Sequence, residues 1–119
     1  DSPPPIILCY SKESVIAEKF HAIVKLGMIN SRMKDFYDIW LLSRQFSFDR
    51  NMLNEAIART FSERDTLLPN SIIAFTDEFR NAKQVQWSAF RKRLGQDSTP
   101  ENFGDVISEL RAFLCDSRD

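Results

Sequence analysis

The sequence has few of the features on which secreted scaffolds and membrane spans depend. Its 119 residues include only two cysteines, Cys9 and Cys115, which lack CxxC spacing and are too few for a disulfide framework. A reducing cytosol is therefore the simplest setting, and one disulfide between the two ends is the alternative. No apolar run approaches the roughly 18 residues that span a bilayer, and no secretion signal opens the chain. We expect a soluble, cytoplasmic protein with no membrane partner.

Glycine and histidine are scarce as well, and the chain has almost no net charge. The three glycines form no Gly-rich phosphate loop, and the net charge of -1 gives no overall attraction for polyanions. Any polyanion site must therefore be a local patch. His21 is the only histidine, and it shares the polar side of a predicted helix with Ser14, Glu18 and Lys25. We expect an exposed histidine there and no metal site.

What is present is enough apolar material for one core. Hydrophobic residues make up 43% of the chain and aromatic residues 12%, which suits a single small domain. The patterning predicts a mainly α fold, a bundle of about five or six helices over residues 11–119, preceded by a short strand-like segment at Ile6 to Tyr10. Residues 1–10 also contain a Pro triplet and no initiator Met. We expect them to be a linker and edge strand that continue from a missing N-terminal half.

Capping residues and terminators divide the helical part. The predicted helices run from Ser11 to Gly27, from Asn30 or Ser31 to Gln45, from Asp49 through Phe61, from Ile72 to Gly95 as one bent or two separate helices, and from Thr99-Pro100-Glu101 through Leu114. The last helix should bury Phe103, Ile107, Leu110 and Leu114. The predicted core as a whole contains Phe20, Ile23, Phe36, Trp40, Leu41, Ile57, Phe61, Phe90 and Leu110.

Charged residues interrupt this apolar pattern at one place. In "NSRMKDFYDIW", residues 30–40, Asp35 and Asp38 lie one helical turn apart, where like charges repel by roughly 0.2–0.5 kcal/mol. Lys19 of the preceding helix is surrounded by apolar positions, so its ammonium must reach solvent or find an anion. The short connection between the two helices makes Asp35 and Asp38 the obvious partners.

A purely structural explanation competes with a functional one. Arg32 can pair with Asp35 at i, i+3, and Lys34 can pair with Asp38 at i, i+4, so the charges could form an ordinary ion-pair cluster. The same residue types also suit a site that binds phosphate groups. Spacing alone leaves both interpretations open.

A family resemblance favours the functional interpretation. The stretch "YSKESVIAEKFHAIVKLGMINSRMKDFYDIWLL" resembles the C-terminal motifs of AbiEii/AbiGii-type nucleotidyltransferase toxins, in which an AEK lysine is followed by an R-x-K-D-x-x-D segment. The stretches "ARTFSERDT" and "KQVQWSAFRKR" are similar to the C-terminal half of the same proteins.

This resemblance implies an enzyme that moves a nucleoside monophosphate from an NTP to an acceptor, in some relatives the 3′ end of a tRNA. A cognate antitoxin usually opposes such a toxin. Lys19 would then face the triphosphate, Asp35 would belong to the same catalytic centre, and Arg32, Lys34 and Asp38 would bind substrate around them. Cations that neutralise phosphate oxygens and a carboxylate that orients a reacting group are what in-line phosphoryl transfer requires.

The chain also departs from the family pattern. Relatives carry an N-terminal Gly-Ser turn and an acid-x-acid pair for Mg²⁺, whereas this chain has no Gly-Ser dipeptide and no Asp-x-Asp. We therefore expect Mg²⁺ in the intact parent enzyme, none in this fragment, and no transfer by the fragment alone.

Two further possibilities stay open from the sequence. The chain could be a noncatalytic helical module that binds an antitoxin or nucleic acid. Four residues would share one face of a continuous helix and could contact RNA: Arg80, Lys83, Trp87 and Arg91, with little added by the basic run Arg91 to Arg93. The alternative there is a solvated face with Trp87 packed inward.

Overall fold

The fold is a bundle of helices, as the computed structural model shows for residues 11–95 and 98–115. Over these ranges the α-helices, in chain order, are α1 (Lys12–Leu26), α2 (Met33–Gln45), α3 (Arg50–Glu63), α4 (Asp77–Leu94) and α5 (Phe103–Cys115). Two short 3₁₀ helices, Gly27–Ile29 and Ile73–Phe75, precede α2 and α4. The predicted mainly α fold is confirmed. The strand predicted at Ile6 to Tyr10 lies outside the described residues.

Most predicted helix ends are confirmed by their hydrogen bonds. The side chain of Ser11 accepts from the Ser14 N–H at the start of α1, and that of Asp49 does the same for Met52 at the start of α3. Gly27 and Gly95 follow α1 and α4 with φ values of 57° and 73°, which residues with a Cβ rarely adopt. Local capping chemistry therefore sets these boundaries.

The start of α2 differs from the prediction. Neither Asn30 nor Ser31 caps the helix; Arg32 occupies the N-cap position, and it makes no capping hydrogen bond with its side chain. Asn30 is instead buried, and its Oδ1 accepts the Arg32 N–H at 2.8 Å. It thereby fixes the turn that leads into α2 rather than the helix end itself.

The start of α5 also differs. The helix begins at Phe103, because Thr99 and Pro100 form hydrogen bonds with α4 instead of starting the helix. Arg91 Nε donates to Thr99 Oγ1 at 2.9 Å, and the indole N–H of Trp87 donates to the Pro100 carbonyl at 2.9 Å. These residues tie the loop to α4 and do not cap the next helix.

Packing places α2 at the centre of the bundle. Helix α1 lies along α3 and α2, while α5 lies against α4 and α2. The ring of Phe36 on α2 lies 5.8 Å from that of Phe79 and 5.3 Å from that of Phe103. The predicted core residues are all buried except Leu41 and Phe90, which are partly buried, and the four predicted for the last helix are buried.

His21 is the clearest correction. We predicted an exposed side chain, but His21 is buried. Its ring packs against that of Phe61 in a T-shaped arrangement, and its Nε2 lies 2.9 Å from Thr66 Oγ1. The residues that cover it come from α3 and the loop after it, so the helical pattern of α1 could not reveal them. Its burial, together with the positive charge of Arg64, lowers its pKa below 6.5.

Candidate functional site

The predicted lysine and both predicted carboxylates meet where α1 faces α2. Lys19 Nζ lies 3.0 Å from Asp38 Oδ2 and 3.6 Å from Asp35 Oδ1. The 3₁₀ helix Gly27–Ile29 and the turn fixed by Asn30 bring the two helices back against each other. The charges thus compensate one another in the fold, and Asp38, not Asp35, is the closer partner of the lysine.

Asp38 is shared between two lysines. Its Oδ2 also accepts from Lys34 Nζ at 2.8 Å, which is the pairing expected from i, i+4 spacing. This hydrogen bond raises the pKa of Lys34 above its usual value, and the negative charge of Asp38 makes the second largest contribution. Lys34 therefore carries a positive charge at neutral pH.

Asp35 has a different environment. Its side chain is only 8% exposed, and Arg32 Nε lies 3.3 Å from its Oδ2. That contact lacks hydrogen-bond alignment, so Oδ2 is buried without a hydrogen-bond partner among the described residues. A buried carboxylate oxygen in this state is costly unless another donor reaches it. Asp35 therefore carries one oxygen that is satisfied neither by solvent nor by a hydrogen-bond donor of the described residues.

These charges border an open cleft of about 640 Å³. Its lining combines residues of α1, of the turn into α2, of the first turn of α2 and of the α4 C-terminus: Lys19, Ser31, Arg32, Met33, Lys34, Asp35, Phe90, Arg93 and Leu94. A smaller depression of about 430 Å³ beside the end of α3 shares none of these residues and is lined mainly by apolar groups. The larger cleft is therefore the one that matches the predicted chemistry.

Arg93 is a member of the cleft that the sequence did not single out for this site. It lies on α4, and α3 and a 3₁₀ helix separate α4 from the helix of Asp35, so no local spacing connects the two residues. The four basic side chains around the cleft exceed its two carboxylates, Asp35 and Asp38. This local excess contrasts with the nearly neutral chain and suits a polyanionic ligand.

The basic stripe predicted on α4 is largely engaged inside the protein. Trp87 is fully buried, which agrees with the inward-packed alternative. Arg80 pairs with Asp77, Arg91 is bonded to Thr99, and Lys83 Nζ lies 5.8 Å from the centroid of the Phe79 ring. RNA contact by this stripe stays a prediction, but all four of its members already have structural partners, since the indole N–H of Trp87 donates to the Pro100 carbonyl.

The donor set of the cleft does not fit Mg²⁺. Asp35 and Asp38 face lysine and arginine side chains, whereas Mg²⁺ prefers free carboxylate oxygens and water. Across residues 11–95 and 98–115, no group of three His, Cys, Asp or Glu side chains is placed to hold a metal ion. We therefore assign no metal ligand to this cleft.

Most of the chain matches a known family. The model described as "Nucleotidyl transferase AbiEii toxin, Type IV TA system" matches residues 1–109. The chain belongs to the AbiEii nucleotidyltransferase toxin family. All five predicted site residues of this AbiEii member lie within the matched span: Lys19, Arg32, Lys34, Asp35 and Asp38.

No curated protein and no solved structure matches the chain. In the part that the structure describes, no helix is both long and apolar enough to cross a membrane. The family match therefore supplies the functional class, and the geometry of the cleft must supply the residues.

Proposed function

We propose that this chain supplies the triphosphate-binding side of an AbiEii-type nucleotidyltransferase, which transfers a nucleoside monophosphate from an NTP to an RNA acceptor. The observation that carries this proposal is the contact of Lys19 with Asp38 and Asp35 at the edge of a cleft with more cations than carboxylates. The AbiEii family match makes an NTP the polyanion that this cleft suits best.

In the proposed reaction an acceptor hydroxyl attacks the α-phosphorus of the NTP, its proton passes to a base of the upstream catalytic half, and the bond to the departing pyrophosphate breaks. Lys19 neutralises the charge that grows on the phosphate oxygens, while Arg32 and Lys34 hold the same chain of phosphates from the α2 side. Asp38 positions both lysines, and its charge favours the charged form of Lys34. Asp35 lies beside Lys19 and helps to orient its ammonium from the α2 side.

The remaining parts of the enzyme would come from elsewhere. Because the cleft does not fit Mg²⁺, the metal expected in the intact enzyme would be held by an upstream catalytic half with Gly-Ser and Asp-x-Asp motifs. We propose tRNA as the first acceptor to test, since some relatives modify its 3′ end. A cognate antitoxin is the expected protein partner in the cytoplasm of the producing cell, because the matching family is a toxin–antitoxin family.

The test compares variants of the protein that includes the upstream half. Radiolabelled NTP transfer to RNA should be abolished by Lys19→Ala and by Asp35→Ala, while the folded fraction and the far-UV circular dichroism stay close to those of the unaltered protein. Lys25→Ala is the matched control, because Lys25 is exposed on the same helix and outside the cleft. Full transfer by the Lys19→Ala protein would contradict the proposal and favour a noncatalytic binding module.

A further inference from the structure

The C-terminal turn of α4 lines the same cleft as Lys19 and Asp35. Phe90 packs against Tyr37 of α2 with ring centroids 5.5 Å apart, and this contact fixes α4 against the first half of α2. Arg93 and Leu94 follow Phe90 by one helical turn on the same face. They therefore reach the cleft beside the start of α2, where Arg32, Lys34 and Asp35 lie.

The basic run at the end of α4 divides into side chains with different surroundings. Arg91 is held by Thr99, through Nε to Oγ1 at 2.9 Å and Nη2 to the carbonyl at 3.1 Å. Arg93 is two positions further on and so points roughly 200° away around the helix. Lys92 is exposed and lies outside the cleft lining. Of these three cations, only Arg93 faces the cleft.

Arg93 also differs from the other cations of the cleft in its polar contacts. Among the described residues it makes no hydrogen bond and no ion pair, whereas Lys19, Arg32 and Lys34 all contact Asp35 or Asp38. The helix dipole favours a cation at this end of α4, and it favours Arg91 and Lys92 equally. The dipole therefore does not explain why an arginine is turned into the cleft.

We propose that Arg93 is a substrate-binding residue that contacts the phosphate chain of the nucleotide from the α4 side. This assignment rests on the proposed function and adds to it a residue that the motifs of α1 and α2 do not contain. A guanidinium can donate two parallel hydrogen bonds to phosphate oxygens. Because Lys19 and Arg93 line the same cleft from α1 and α4, the polyphosphate would contact cations of both helices.

The test measures binding of inorganic tripolyphosphate to this chain by calorimetry at low ionic strength. Arg93→Ala should weaken binding about fivefold to tenfold, because one charge-assisted contact in an open site is lost. Arg93→Lys should recover part of the loss. Lys92→Ala removes the same charge from the same helical turn outside the cleft, so it should change binding by no more than about twofold.

Several results would overturn the assignment. These are an unchanged affinity in Arg93→Ala, an equal loss in Arg93→Ala and Lys92→Ala, or no binding by the unaltered chain. Thermal unfolding of each variant shows whether the fold persists, and alanine at an exposed helical position should not disturb it. The proposed function fails separately, through transfer that survives Lys19→Ala in the longer protein.

Discussion

At the scale of single residues, Asp35 and Asp38 lie one turn apart on the same helix but should affect the stability of the fold in opposite directions. Asp38 accepts hydrogen bonds or close contacts from two lysines, whereas Asp35 is more deeply buried and has only the longer contacts at 3.3 and 3.6 Å. Asp38 therefore stabilises the fold more than Asp35 does. Burying Asp35 in this way costs stability, a pattern common where a residue serves a ligand.

Replacing each carboxylate by its amide should separate these roles. Asp38→Asn should lower the free energy of unfolding by about 1–2 kcal/mol, since charge-assisted contacts to two lysines are weakened. Asp35→Asn should change it by less than about 0.5 kcal/mol or raise it, because Lys19 keeps Asp38 and Arg32 is exposed to water. Urea unfolding of both variants checks this, and the reverse order of the two effects would contradict it.

His21 gives a second prediction at this scale. Thr66 has one hydroxyl proton and donates it to the Arg64 carbonyl at 3.0 Å, so a simultaneous bond to His21 places a proton on Nε2. This neutral tautomer is satisfied in the folded state. Protonation of Nδ1 would add a charge that burial and the nearby Arg64 and Lys25 oppose, although Glu18 favours it.

Stability should consequently fall on mild acidification. The pKa of His21 in the folded state is lowered from 6.5, so its contribution is fully present above 6.5 and is lost as the pH falls through the folded-state pKa. Urea unfolding between pH 7.5 and 5.5 should show this slope in the unaltered chain and a smaller slope in His21→Gln, which cannot titrate. Equal slopes in the two proteins would show that His21 is not responsible.

At the scale of helices, local signals located the elements better than they located their ends. Ser11, Asp49, Gly27 and Gly95 act through neighbours in the sequence, and their predicted roles are confirmed. Thr99 carries an equally strong capping signal, yet its hydroxyl oxygen accepts a hydrogen bond from Arg91 of α4. The competing donor lies on another helix, so the sequence around Thr99 could not reveal it.

The predicted site shows the same division. Lys19, Asp35 and Asp38 could be connected from the sequence, because a short turn joins their helices and each helix shows its apolar side. Arg93 could not, since its place in the cleft depends on how Phe90 packs against Tyr37. The catalytic and substrate-binding roles of all these residues stay predictions.

Phe36 is where the helices depend most directly on one another. Its ring is fully buried and contacts Phe79 of α4 and Phe103 of α5. Phe36→Ala should cost about 3–5 kcal/mol, through lost burial and a cavity between three helices. Val85→Ala is the control, because Val85 is 77% exposed on α4 and should change the unfolding free energy little. Similar urea midpoints for the two variants would contradict this packing.

At the scale of the whole molecule, binding and chemistry should be separable. The cleft brings cations together on three helices and the turn into α2, and these groups can hold phosphates without any group that activates an acceptor. Asp38 contacts Lys19 and Lys34, which leaves Asp35 as a single carboxylate. A magnesium site needs more oxygen ligands than one carboxylate provides. The architecture therefore predicts a protein that binds a polyphosphate and leaves the nucleotide intact.

This leads to the most general test of the proposed division of labour. The chain of 119 residues, incubated with each of the four radiolabelled NTPs, Mg²⁺ and total RNA, should give no labelled RNA, because its cleft provides cations but no carboxylate pair for the metal. Under the same conditions tripolyphosphate should raise its midpoint of thermal unfolding, since a ligand that binds only the folded state stabilises it by mass action. Adding salt should diminish that rise, as expected for a partly exposed cluster of charges. Labelled product from the chain alone, lost in Asp35→Ala, would show that the metal-binding carboxylates lie within this sequence after all and that Asp35 is one of them.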